Sequence, residues 1–228
     1  SVYASYAEGF RPNSGADASG NTFDPEESKS YELGMKISSM DGRLNTTIAL
    51  FKMEKSNILT ADPVNAGESA ALGEAESEGL EIDITGELSD SVDMVFSYAY
   101  VDAGTSTDLY NFDWAVNLPA GSELVNVPEN SANLMLTKQF NINGADASLG
   151  FTINYVDDRL GETIDPTYRL PEYTLVNLFG SYQLNDQVKL TMNIDNLFDE
   201  KYYVSSYHKW WTTPGTPTSY VMGVTYAF

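Results

Sequence analysis

At 228 residues, with 33 acidic against 12 basic side chains and a net charge of −21, the chain is long enough for one large domain. Its charge has the wrong sign for nucleic acid, whose phosphates demand Lys and Arg. It holds no cysteine, which excludes a disulfide framework and a thiolate metal site, and no apolar run long enough for a transmembrane helix. The mildly polar composition remains compatible with a membrane barrel, in which only alternate residues meet lipid.

The chain opens on a strand-like segment, Val2-Tyr-Ala-Ser-Tyr6, without the charged start, apolar stretch and cleavage site of a signal peptide. Such a segment is expected to have been removed, or the true N-terminus to lie upstream. Period-two alternation then predicts ten strands and little helix, near 1–10, 28–39, 43–60, 75–89, 92–102, 129–140, 147–158, 172–184, 188–196 and 218–228. The alternation is clearest in three of them. Leu80, Ile82, Ile84 and Leu88 oppose Glu81, Asp83, Thr85 and Glu87; Val92, Met94, Phe96, Tyr98 and Tyr100 oppose Asp93, Ser97 and Ala99; Leu149, Phe151, Ile153 and Tyr155 oppose Gly150, Thr152 and Asn154. The last strand repeats the pattern, with Tyr220, Met222, Val224, Tyr226 and Phe228 on one face and small or polar residues on the other.

The connections alternate in length. Met40-Asp-Gly-Arg43, Ser89-Asp-Ser91, Asn141-Ile-Asn-Gly144 and Asn185-Asp-Gln187 carry the residues of tight turns, whereas 11–27, 61–74, 103–128, 159–170 and 197–217 are long. Short turns at one end of a sheet and long loops at the other are what outer-membrane barrels show and soluble sandwiches do not require. The expected fold is therefore all-β: part of an antiparallel transmembrane β-barrel, about ten meandering strands with short periplasmic turns and long external loops. Tyr6, Phe10, Tyr98, Tyr100 and Tyr155 near the long-loop end, with Tyr226 and Phe228 at the other, suit aromatic girdles at the two lipid–water boundaries.

Several segments resemble TonB-dependent outer-membrane receptors, specifically the ferric-siderophore group. Asn193-Ile-Asp-Asn-Leu-Phe-Asp-Glu-Lys-Tyr-Tyr203 is similar to the family signature N-x-x-N-L-F-D-x-x-Y, matching it at Asn193, Asn196, Leu197, Phe198, Asp199 and Tyr202. Tyr3-Ala-Ser-Tyr-Ala-Glu-Gly-Phe-Arg-Pro-Asn13, Phe23-Asp-Pro-Glu-Glu-Ser-Lys-Ser-Tyr-Glu-Leu-Gly34 and Ser77-Glu-Gly-Leu-Glu81 resemble further family segments in the family's order. Two bases of the pattern are missing: Glu78 stands where the family has Arg, and Thr218 follows Gly215-Thr-Pro217 where Arg is frequent. The resemblance implies a wide barrel with a plug domain inside, of which residues 1–228 form the C-terminal part, the plug and N-terminal strands being absent. It also implies active uptake of a ferric siderophore energised through TonB, a barrel set in outer-membrane lipid and lipopolysaccharide, and a terminal Tyr226-Ala-Phe228 read by the barrel assembly machinery.

Candidate ligand contacts lie in the long loops: Asn111 to Trp114, then Tyr168 and Arg169, then Tyr207, His208, Lys209, Trp210 and Trp211. Aromatic rings beside a few polar groups suit a flat amphipathic ligand, though they equally suit loop packing or the outer lipid boundary. His208 is the sole histidine, so no metal site or cofactor of the chain's own is expected, and iron would be coordinated by its chelator. Asp157-Asp158 with His208 invites an enzymatic reading, but neighbouring strand residues point to opposite faces, so no catalysis is expected. The alternatives are a self-closed ten-stranded outer-membrane protein, acting as an omptin-like protease, adhesin or passive pore, and a soluble β-sandwich.

Overall fold

The computed structural model describes all residues except Pro63, Ala66 and 112–115, and describes the side chains of neither Ala61 nor Asn111. Ten strands form one antiparallel meander: β1 (Val2–Arg11), β2 (Glu26–Ser39), β3 (Leu44–Ala61), β4 (Ser69–Ser89), β5 (Val92–Thr105), β8 (Asn130–Ile142), β9 (Ala145–Val156), β12 (Tyr173–Gln183), β13 (Val188–Asp195) and β16 (Ser219–Tyr226). Each strand pairs with its predecessor and its successor in this series, and β1 and β16 are the two edges. Among the described residues no helix is long and apolar enough to cross a membrane.

Register assigns the faces, because directly opposite residues project to the same side. Ile48, Ile82, Tyr98 and Ala132 form one cross-strand row, and Leu50, Leu80 and Tyr100 form the next. Further along, Leu134, Ile153 and Val176 continue the apolar face, as do Ile194 with Tyr220 and Met192 with Met222. The opposite face carries Thr47, Asp83, Ser97, Asn133 and Asn154 in register. Its amides are linked: Asn133 donates to Ser97, Asn154 to Asn133 and Asn177 to Asn154, and the Asn177 Oδ1 accepts from the Asn196 backbone N–H at 2.8 Å. Within the sheet the buried hydrophobic side chains are only Ala49 and Ala147 among the described residues, while Leu33, Leu50 and Leu149 are all more than half exposed. The large apolar groups thus lie outside, toward lipid, and the polar ladder lies inside.

Local chemistry accounts for the turns. In the β8–β9 hairpin Asn143 and Gly144 both take positive φ (52° and 87°) between the paired Ile142 and Ala145, the tight two-residue geometry that Asn-Gly favours. Two motif glycines have a different reason. A Cβ on Gly34 would meet the Tyr3 ring at 2.3 Å, and one on Gly79 the carbonyl of Tyr100 at 2.0 Å and the Phe51 ring at 2.8 Å, so these glycines let inward aromatic rings lie across the strand.

Three expectations need correction. The connection expected over 61–74 is largely strand: β3 and β4 continue pairing past a bulge at Lys55/Ile58 and leave a connection of 62–68 only. Strand β9 stops at Val156, so Asp157 and Asp158 are loop residues. The long loops also contain hairpins of their own: β6 (Leu109–Asn111) with β7 (Val116–Leu118), β10 (Arg159–Leu160) with β11 (Arg169–Leu170), and β14 (Tyr203–His208) with β15 (Trp211–Pro214). Their strands are too short to display a period in sequence.

Candidate functional site

Three long connections, after β5, β9 and β13, join into one body at the external end. The Asn126 backbone N–H donates to the Leu160 carbonyl at 2.9 Å, and the Asn126 amide exchanges two hydrogen bonds with the Ser206 backbone, at 2.7 and 2.8 Å. Asn126 takes φ 64°, a left-handed conformation that Asn tolerates better than most residues. Arg159 donates through Nη2 to the carbonyls of Tyr203 and Val204, at 2.7 and 3.0 Å, and sits over the Tyr173 ring. Leu160 and Leu170, 5% and 1% exposed, supply a small apolar centre. Glu162, 1% exposed, accepts the Lys209 backbone N–H at 2.8 Å, with His208 Nε2 at 3.4 Å.

This geometry divides the residues expected to contact ligand. Arg169 bridges Glu123 at 2.8 Å and also pairs with Asp158; these carboxylates, Asp158 first, raise its pKa further. The Tyr168 hydroxyl shares a hydrogen bond with the Thr212 hydroxyl at 2.7 Å. His208 faces Glu162. Those three side chains hold loop to loop. Tyr207, Trp210 and Trp211, 70%, 83% and 74% exposed, project from the β14–β15 hairpin, with Tyr207 and Trp211 edge to face at 6.3 Å. Trp114 lies outside the described residues. Asp157 and Asp158 do not converge on a common target: Asp157 accepts from the Asn130 amide at 2.8 Å, a bond that holds its carboxyl below the usual range, and Asp158 serves Arg169. Asp165 is likewise held below its ordinary value, by the Thr167 hydroxyl and backbone N–H. Among the described residues no three His, Asp or Glu side chains are grouped to hold a metal.

The signature segment forms a corner where β13 enters its loop. Asn193 faces inward, opposite Phe179 and Val221. Asn196, 2% exposed and at φ 50°, donates from its amide to the carbonyls of Glu200 and Thr216 and accepts the Glu200 N–H. Asp199, at φ 55°, accepts the Thr218 N–H, and the Leu197 N–H reaches the Val176 carbonyl. Tyr202 packs against Tyr173 at 4.7 Å and covers Gly215, where a Cβ would meet its ring at 2.2 Å. Phe198 is 73% exposed, outside this knot. At the opposite end Tyr226 and Phe228 meet edge to face at 5.2 Å.

Sequence reasoning missed the residues that assemble this body: Asn126, Arg159, Leu160, Glu162, Leu170 and Ser206. The available signal was slight, two leucines ten positions apart at the ends of a short loop segment.

Comparison with known proteins adds identity to this geometry. The metal-pseudopaline receptor CntO of Pseudomonas aeruginosa is 40% identical over 227 residues, which cover 98% of this chain and 31% of the receptor. The ferrichrome outer membrane transporter/phage receptor of Escherichia coli is 31% identical, with 99% of this chain and 30% of that protein covered. The crystal structure of the siderophore receptor PiuA from Acinetobacter baumannii superposes with a TM-score of 0.83 at 27% identity, over 99% of this chain and 33% of that one. The chain thus spans about a third of the length of these proteins. A family profile described as "TonB dependent receptor-like, beta-barrel" matches residues 1–197. With that match laid over an antiparallel meander whose apolar face is the outer one, the chain belongs to the TonB-dependent receptor β-barrel family.

Proposed function

We propose that this chain is the C-terminal part of the barrel wall, and part of the external binding surface, of a receptor that imports a metal held by a small organic chelator. The family's barrels reside in the outer membrane of Gram-negative bacteria. The first expected cargo is iron in a ferric siderophore. The likeness to a metal-pseudopaline receptor favours a second, another metal in a comparable chelate. The observation that carries the proposal is the division of the sheet into an apolar outer face and a polar, amide-linked inner face, capped at one end by an assembled loop body.

Energy would arrive through TonB acting on parts of the receptor beyond this chain. The chain would supply no bond chemistry: Asp158 pairs with Arg169, and Glu162 faces His208 and the Lys209 backbone across the loops. Lipid, and lipopolysaccharide in the outer leaflet, would cover the apolar band. The self-closed ten-stranded alternative requires β1 to pair with β16, and the sheet order instead leaves both as edges among the described residues.

The test is deletion of the whole gene, followed by metal uptake measured from a panel of chelates as sole metal source. Loss of uptake from at least one chelate, restored by the intact gene, supports the proposal; unchanged uptake from all of them sinks it.

A further inference from the structure

The β14–β15 hairpin is fastened differently at its base and at its tip. At the base, Arg159 holds the carbonyls of Tyr203 and Val204, and Asn126 is doubly bonded to Ser206. The ladder is interrupted twice. The first shift lies within the base, between Tyr203 and Ser205, where Arg159 clamps the Tyr203 and Val204 carbonyls. The second lies between base and tip, between Ser206 and His208, where Tyr207 is the extra residue of a bulge that has no such clamp among the described residues. A bulge leaves one residue without a ladder partner and bends its strand, so it is a place where a hairpin can flex. The bulge and the tip beyond it carry three largely exposed rings, Tyr207 at the bulge and Trp210 and Trp211 past it.

What holds the tip down is polar. The Glu162 Oε2 accepts the Lys209 N–H at 2.8 Å and lies 3.4 Å from His208 Nε2, Lys209 Nζ is 3.9 Å from Glu162 Oε1 and 3.8 Å from Asp165, and Thr212 meets the Tyr168 hydroxyl. Glu162 is 1% exposed, yet its Oε1 accepts no hydrogen bond. A buried carboxylate with one oxygen unsatisfied is an under-used acceptor, and polar contacts of this kind open locally without unfolding the elements behind them.

We propose that residues 207–211 are a movable aromatic tip, hinged at the Tyr207 bulge, and that Glu162 is the positioning residue that latches it closed. The tip's use, presenting its rings to a chelate, rests on the uptake reading; the latch does not. Opening releases Lys209 and His208 from Glu162 while the base stays clamped by Arg159 and Asn126.

The experiment is hydrogen exchange, resolved by peptide, on the whole receptor in outer-membrane vesicles without added chelate. With Glu162→Ala the amides of 207–211 should exchange about tenfold faster, while Tyr203–Ser206 and strands β12 and β13 hold their protection. Glu162→Gln keeps an acceptor for the Lys209 N–H, should recover part of that protection, and carries the test if the alanine variant does not assemble. No change at the tip, or a loss spread equally over base and sheet, overturns the latch. Because no cargo is present, that failure is distinct from failure of the uptake reading, which the deletion experiment addresses.

Discussion

The sheet and the external loop body are built on opposite rules. In the sheet most large apolar side chains face outward, and the inner face carries amides and carboxylates beside a few rings such as Tyr3, Phe51 and Phe179. In the loop body the arrangement is that of an ordinary small protein: Leu160 and Leu170 are enclosed, and the buried charged groups Glu162 and Arg159 are met by backbone partners at Oε2 and Nη2. Among the described residues the largest fully buried side chains, Leu170 and Glu162, belong to the external loop body and not to the ten-stranded sheet. The difference follows from the solvent. Lipid accepts leucine and rejects unpaired backbone, so the strands satisfy their amides by pairing and leave their apolar atoms outside. Water at the external end rejects exposed leucine, and the loops fold inward.

Substitutions that exchange the two environments test this contrast. The largest effect is expected for Ile82→Lys, which places a charge in the outward row with Ile48 and Tyr98. Folding into vesicles should lose roughly 2–4 kcal/mol near the membrane midplane, whereas Thr85→Lys, on the inner face opposite Asn45, should lose clearly less. Equal insertion of the two variants would contradict the assigned faces. Next comes Leu170→Ala. It should weaken the loop body by roughly 2–3 kcal/mol, the lower part of the range for buried leucines, with faster proteolysis or hydrogen exchange confined to the external loops. An insertion defect equal to that of Ile82→Lys would show that loops and wall are one cooperative unit.

Asn196→Ala removes three side-chain hydrogen bonds at a left-handed position and should cost about 1–3 kcal/mol. Thermal unfolding in detergent reads that loss, and Asn196→Asp, which keeps an acceptor for the Glu200 N–H, should fall between. The smallest effect concerns pH. The carboxyls of Asp157 and Asp165 are held below their ordinary value of 3.8 by hydrogen bonds in the folded loops. Their contribution is therefore complete above that value and is lost as the pH falls below it, through the folded-state pKa values. Loop protection should decline in that acidic window while the strands, which rely on pairing and lipid contact, hold.

Much of the wall was legible in the sequence because a strand writes its environment into every second residue. Leu80, Ile82 and Ile84 against Glu81 and Asp83 sufficed to assign both faces, and Asn143-Gly144 announced its turn. The boundaries were less legible: β3 and β4 run on through Ala70, Ala71 and Gly73, small residues without a period, held by pairing across a bulge. The loop contacts were legible only as a list of aromatic and charged residues. That Tyr168, Arg169 and His208 fasten loops while Tyr207, Trp210 and Trp211 project depends on partners 44 to 47 positions away along the chain, such as Thr212 for Tyr168 and Glu162 for Lys209.

The amino-acid order by itself determined an antiparallel meander with a greasy outside, since period-two alternation and turn chemistry act between near neighbours and survive without knowledge of the rest. Only the tertiary structure decided how three loops close on Glu162, Arg159 and Asn126, because a buried charge is tolerated only where distant backbone groups arrive to meet it, and no local pattern records their arrival.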